Sequence, residues 1–279
     1  MSVVRVEVKW AEVRSLNSKR DELSRILGKG LKLGEKAGKT DFKEVFREVD
    51  DEELKEIVSK YLDRELEGKF QLEPEKAFEF GRKMRNEHSL TLSEVERLVN
   101  LAVPAVFEEK AGDIRTMLCH QFYENYLGYF VSGLYHDIIG NRKLVVEIRM
   151  PKLIARSRVG FRWGMGYRHP SGVLVVRGYA GGYLGEKMRG GRVVVTGYTG
   201  DCVGKDMRGG EILIKGNTGW RLGEGMRGGK IVVFGDVGEY TGINMSSGLI
   251  RIKGSVISFG RRSGGRIELW MDGEWRAVD

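Results

Sequence analysis

The chain has 279 residues, 47 of them Lys or Arg, 39 Asp or Glu and only two Cys, for a formal net charge of +8. That length admits two domains with cores of their own. Two cysteines, Cys119 and Cys202, exclude a disulfide framework and a thiolate metal site.

Composition divides the chain. Thirty of its 40 glycines lie from Gly160 onward, and the basic excess is confined to the same half. Residues 1–150 hold 26 basic and 28 acidic side chains, whereas residues 151–279 hold 21 and 11. The expected organisation is a mainly α-helical domain over 1–142 and a glycine-rich β domain over 143–279. Without an apolar N-terminal stretch the expectation is a cytoplasmic protein. The longest aromatic-apolar run, 122–139, contains Glu124, Asn125, His136 and Asp137 and is too interrupted to span a bilayer. Only two glutamines beside 31% charged residues lean towards a thermophile's composition.

In chain order, Val4, Val6, Val8 and Trp10 alternate with charged residues as a half-buried strand. Residues 17–38 are weakly helical and interrupted by Gly28, Gly30 and Gly34. Asp41 with Glu44 and Asp50 with Glu53 each open a helix, the second carrying Leu54, Ile57, Val58, Tyr61 and Leu62 on one face. Pro74 suits a first helical turn ahead of Ala77, Phe78 and Phe80. Thr91 and Glu94 form a capping box before Val95, Leu98 and Val99, and Pro104 is expected to end or kink that helix. The longest helix is expected over 113–139, stopped at Gly140-Asn141. Val146, Ile148 and Met150 then alternate as a strand ended by Pro151.

From Gly178 one unit is written four times: GYAGGYLGEKMRGG, GYTGDCVGKDMRGG, GNTGWRLGEGMRGG and GDVGEYTGINMSSG, joined by RVVVT, EILIK and KIVVF. Gly178, Gly197, Gly216 and Gly235 mark a period of 19. Gly181, Gly200, Gly219 and Gly238 keep the same step, as do Gly185, Gly204, Gly223 and Gly242, and Met188, Met207, Met226 and Met245. Gly166 and Gly172 fall on the same grid as a degenerate first coil among Arg156, Arg158, Arg162 and Arg168. A short β-rich run once per ~20 residues is the signature of a solenoid. Side-chain alternation places Leu174, Val176, Val193, Val195, Ile212, Ile214, Ile231, Val233, Ile250, Ile252, Ile267 and Leu269 on one dry inner face. Glycines at fixed corners fit a backbone that turns with φ > 0 or passes close to the coil below. The fold class is therefore mixed: a helical domain followed by a parallel β-helix, right-handed because parallel crossovers nearly always are. Trp270 and Trp275 flank Asp272-Gly273, a type I′ hairpin signal. This hairpin and the helical domain are the expected covers for the two solenoid ends.

Sites of chemistry are scarce. Gly223-x-Gly225-x-x-Gly228 satisfies a dinucleotide-binding pattern, but no helix follows, so it belongs to the repeat. Gly34 to Thr40 is one residue short of a P-loop. Cys119 reads as a buried thiol and Cys202 as a surface thiol, while His88, His120, His136 and His169 show no metal-ligand spacing. No catalytic, cofactor or metal site is assigned. Two surface columns stand out instead. Arg189, Arg208 and Arg227 concentrate positive charge on one edge, fit to dock an acidic partner or an anion. Val175, Val194, Leu213 and Val232 form an outward apolar ladder that needs a cover. The aromatic face of the 113–139 helix is the first candidate, and another protein of an assembly the second.

The unit G-x-x-G-x-x-x-G-x-x-M-x-x-G followed by a β-branched strand resembles the GXGXG domain. That domain is the C-terminal β-helix of the glutamate synthase large subunit and also forms the β-helix subunit of formylmethanofuran dehydrogenase. The resemblance covers residues 166–265 and leaves the first 140-odd residues outside it. It implies a supporting element of a multi-subunit oxidoreductase, partnered by other subunits or by itself, with redox cofactors carried elsewhere. Neither membrane nor nucleic acid is the expected target. The competing readings are a free-standing hydrolase with a cleft between the halves, and an anion- or RNA-binding module.

Overall fold

The computed structural model describes residues 52–66, 69, 73–111, 126–148 and 164–278. The strand expected at residues 4–10, the weak helix at 17–38, the P-loop-like segment and Cys119 lie outside them. Four helices are described: α1 (Glu52–Leu66), α2 (Pro74–Glu87), α3 (Leu92–Ala111) and α4 (Leu127–Tyr135). They are followed by strands β1 (Lys143–Ile148), β2 (Val173–Gly178), β3 (Arg192–Val195), β4 (Glu211–Ile214), β5 (Arg227–Val233), β6 (Ser247–Ile252), β7 (Arg266–Met271) and β8 (Glu274–Val278).

The helices form where the pattern places them. Leu54, Ile57, Val58, Tyr61 and Leu62 of α1 are all buried, the one-sided stripe of an amphipathic helix. Pro74 occupies the first turn of α2, where its missing N–H is no loss. At the start of α3 the Thr91 N–H donates to Glu94 Oε2 at 2.7 Å, and the Glu94 N–H donates back to Thr91 Oγ1 at 3.4 Å. Two expectations are corrected. Pro104 does not end α3, which continues to Ala111, because losing one ladder bond does not outweigh the turns on either side. Within the described part of 113–139, the helix is only Leu127–Tyr135, followed by a turn.

Every residue of α4 is buried. It crosses α2 backbone to backbone at Gly81 and Gly133: a Cβ on Gly81 would overlap the Phe130 carbonyl, and one on Gly133 that of Phe78. Hydrophobic on all sides, α4 can sit only in the middle of a core.

Residues 143–148 and 164–271 form a β-solenoid of about five turns with parallel strands. Strand pairs keep the step of 19: Val193 lies opposite Ile212, Ile212 opposite Ile231, and Ile231 opposite Ile250. The last step shortens to 17, Ile250 to Ile267. Eleven of the twelve inward aliphatics are fully buried at 0% exposure, and Leu269 packs partly buried against them. Met188, Met207, Met226 and Met245 are buried beneath the turns.

The glycines divide by mechanism. Gly204 turns with φ +66, as do its column mates Gly185, Gly223 and Gly242 at similar angles. Gly197, Gly200 and Gly219 do not carry positive φ. Gly197 is glycine because a Cβ there would overlap the carbonyl oxygen of Gly178 one coil below.

Less expected are Tyr183, Cys202, Arg221 and Tyr240, which occupy the left-handed region at φ 57–59. Each costs roughly 1–2 kcal/mol of backbone strain. That conformation aims the N–H at the adjoining coil, Cys202 donating to the Trp220 carbonyl at 2.8 Å and Tyr183 to that of Asp201 at 2.8 Å. The hydrogen bonds between coils hold the strain.

Both ends are covered. Asp272 and Gly273 turn with φ 51 and 87, the type I′ geometry, and β8 pairs antiparallel with β7. The Trp270 and Trp275 rings meet edge to face at 5.1 Å. At the other end, Ser132 Oγ of α4 accepts the backbone N–H groups of Gly166 at 3.0 Å and Tyr167 at 3.1 Å while donating to the Gly128 carbonyl. The Tyr167 N–H also donates to the Gly164 carbonyl at 3.0 Å, so the hydroxyl matters most to Gly166. Tyr129 donates to the buried Glu186 carboxylate at 2.6 Å, and Tyr167 and Arg168 both donate to Glu75 of α2. Beneath the first full coil, β1 pairs in parallel with β2 through Leu144↔Leu174 and Val146↔Val176. One hydrophobic cluster therefore runs from α1 to β7.

Candidate interaction surface

The described cysteine and histidines are either buried or paired. Cys202 is 5% exposed rather than on the surface. Its thiol donates to Glu224 Oε2 at 3.7 Å. Burial first, and Glu224 second, push the thiol pKa up to about 11, so it is not a thiolate at neutral pH. Glu224 is held by Lys205 at 3.1 Å. His169 is fully buried against the Tyr135 hydroxyl, and burial lowers its pKa to about 4. It is neutral and cannot serve as a cation. His88 pairs with Glu53 and His136 with Asp137, on separate helical elements. Gly223 to Gly228 runs from a solenoid turn into β5, with no helix after it. Among the described residues no three His, Cys, Asp or Glu gather to hold a metal ion, and no helix is long and apolar enough to cross a membrane. The described junction of helices and solenoid is filled by Tyr129, Ser132, Met165 and Tyr167, all buried.

The outward face of the sheet is different. Successive outward residues stack in three rows across the strands. The middle row is Val145, Val175, Val194, Leu213 and Val232, followed by Arg251 and Glu268. Val175, Val194 and Leu213 are half-buried and Val232 is buried at 7% exposure. The ladder is thus less exposed than expected, because an ion row runs beside it: Glu211 accepts from Arg192 at 2.9 Å and from Lys230 at 3.1 Å. Long charged side chains cover apolar neighbours with their stems. The expected internal cover is not found among the described residues: α4 packs on α2 and α3, while the helical contact to the sheet is made by α3 on β1.

One residue past the paired positions the N–H groups of Thr196, Lys215, Phe234 and Lys253 still donate to the strand before, which continues a third row of Arg177, Thr196, Lys215, Phe234, Lys253 and Trp270. Phe234 and Trp270 are 45% and 39% exposed, and the Lys253 ammonium lies 5.4 Å and 4.8 Å from their ring centres. Arg251 holds the buried Glu268 at 2.7 Å and lies over Trp275 at 5.2 Å. Reading only the middle row misses these aromatics. Extending the same 19-residue step from Arg177 reaches Phe234 and Lys253 directly.

Arg189, Arg208 and Arg227 do form a column. The Arg208 N–H donates to Met188 and the Arg227 N–H to Met207, both at 2.8 Å, which fixes the three backbones one coil apart. Their side chains are exposed at the corner where the strands begin. The face has an aliphatic row down its middle. Arginines line one side, Lys215 and Lys253 the other, and its two carboxylates within β2–β7, Glu211 and Glu268, are each held by two cations. Arg177 faces Glu147 across the strands. The face thus carries an apolar row between two lines of cations. No protein-family model matches the chain, and no curated protein matches it either.

Proposed function

We propose that this protein is a non-catalytic scaffold within a multi-subunit assembly, docking through the outward sheet face of its solenoid. The aliphatic ladder between two lines of cations carries the reading: an apolar row of this length belongs against another surface. The repeat unit resembles the GXGXG domain of glutamate synthase and of formylmethanofuran dehydrogenase. That resemblance supports an oxidoreductase as the assembly and a right-handed solenoid. In this reading the partner proteins carry the cofactors, and the chain contributes rigidity and a docking face.

Leu213→Lys is the test. Lysine at this half-buried outward position can extend its ammonium to solvent, so the melting temperature of the isolated chain is expected to hold within a few degrees. Proteins that co-purify with the wild-type chain are expected to be lost. A variant that keeps every partner argues against docking at this face, and one that unfolds puts the ladder under a segment of its own chain.

A further inference from the structure

Resting on the docking role proposed above, we infer that the occupant of this face is an acidic amphipathic helix of a partner protein, lying along the aliphatic ladder and across the strands. Three observations define the ligand. The ladder from Val145 to Val232 crosses five strands, or ~19 Å at ~4.8 Å per strand. An α-helix rises 5.4 Å per turn, so one laid along the ladder sets about one apolar residue on each rung over ~13 residues. An extended peptide in that direction advances ~3.3 Å per residue and repeats its side chains about every 7 Å, out of step with the rungs.

The flanks supply the sign. The corner on one side presents Arg189, Arg208 and Arg227, and the other side Lys215 and Lys253, with the local carboxylates already paired. A helix carrying Leu or Ile at i, i+3/i+4 and i+7, with Glu or Asp on both shoulders, satisfies ladder and flanks together. A nucleic acid could answer the cations, but its phosphate backbone offers nothing to a row of valines. A partner with basic shoulders would meet two lines of like charge. The exposed Phe234 at the end of the ladder adds an aromatic anchor beside Val232.

The test uses the full chain and two synthetic helical 16-residue peptides with the same leucine stripe, one with glutamates and one with lysines on both shoulders. Titration by fluorescence anisotropy should show the glutamate peptide binding at least about tenfold more tightly, and more weakly as salt rises. Leu213→Lys should cost at least about tenfold, and the double variant R208E/K215E should reverse the preference towards the lysine peptide. Equal affinity for the two peptides, binding of neither, or tighter Leu213-dependent binding of a 20-nucleotide oligouridylate or of phosphatidylserine vesicles overturns the inference. A photo-crosslinking residue at position 213, in the assembly purified from cells, separates this from the scaffold reading. Attachment to an acidic helical segment supports the inference. Attachment to a basic or extended segment overturns the helix but leaves docking at this face standing, and no attachment in an intact assembly overturns both.

Discussion

Val195→Asp is expected to unfold the solenoid around β3, whereas Thr196→Asp leaves the melting temperature nearly unchanged. The two residues are neighbours in sequence and opposites in environment: Val195 is 0% exposed among Val176, Ile214 and the rest of the inner column, and Thr196 is exposed. A carboxylate without a partner in that interior costs several kcal/mol whether it stays charged or takes a proton. The loss is not confined to one coil, because each coil is stable only against its neighbours. Thermal melts of the two variants decide the matter. Equal melting temperatures would mean that the strand register is shifted by one residue, which inverts the inner and outer faces.

The second large effect is expected at Gly197. Substitution by alanine puts a methyl into the carbonyl oxygen of Gly178 one coil below, and neither backbone group can swing aside. Overpacking of a filled interior costs about 1–3 kcal/mol and more where backbone must move, so Gly197→Ala belongs at or above the top of that range. Gly273→Ala is the control. That residue has φ +87 but nothing within 4 Å of the added carbon, leaving only backbone strain of about 1–2 kcal/mol. A denaturation midpoint lowered as much by Gly273→Ala as by Gly197→Ala contradicts the stacking of glycine on glycine through the solenoid.

How far the molecule was legible from its sequence follows from which forces have a period. The inner column, the methionines, the final shortened coil and the Trp270–Trp275 hairpin all repeat or sit in a local motif, and they lie where the pattern puts them. The rung formed by β1 was not visible as part of the ladder, because 30 residues rather than 19 separate Leu144 from Leu174. The cap made by Ser132 is a single hydroxyl serving groups 34 and 35 residues away, and no local pattern encodes such a contact. Cys202 was misplaced for a related reason. Its column mates Arg221 and Tyr240 share its left-handed backbone and are exposed, whereas the short thiol stays within the turn against Glu224. On the outward face the aliphatic ladder and the arginine column were legible. The ion row that half-buries the ladder, and the Phe234–Lys253–Trp270 stack, depend on how long side chains lie across strands.

Hydroxyl-radical footprinting of the chain alone and in the assembly proposed for it tests docking through the outward face most directly. Phe234 on the outward sheet face and Trp220 and Tyr240 on another side of the solenoid are equally exposed, at 45% each, so they report on two surfaces with the same starting exposure. Docking through the outward sheet face predicts protection of Leu213, Phe234 and Trp270 in the assembly, with Trp220 and Tyr240 oxidised as fast as in the free chain. Protection of Trp220 and Tyr240 with Leu213 and Phe234 unchanged contradicts it.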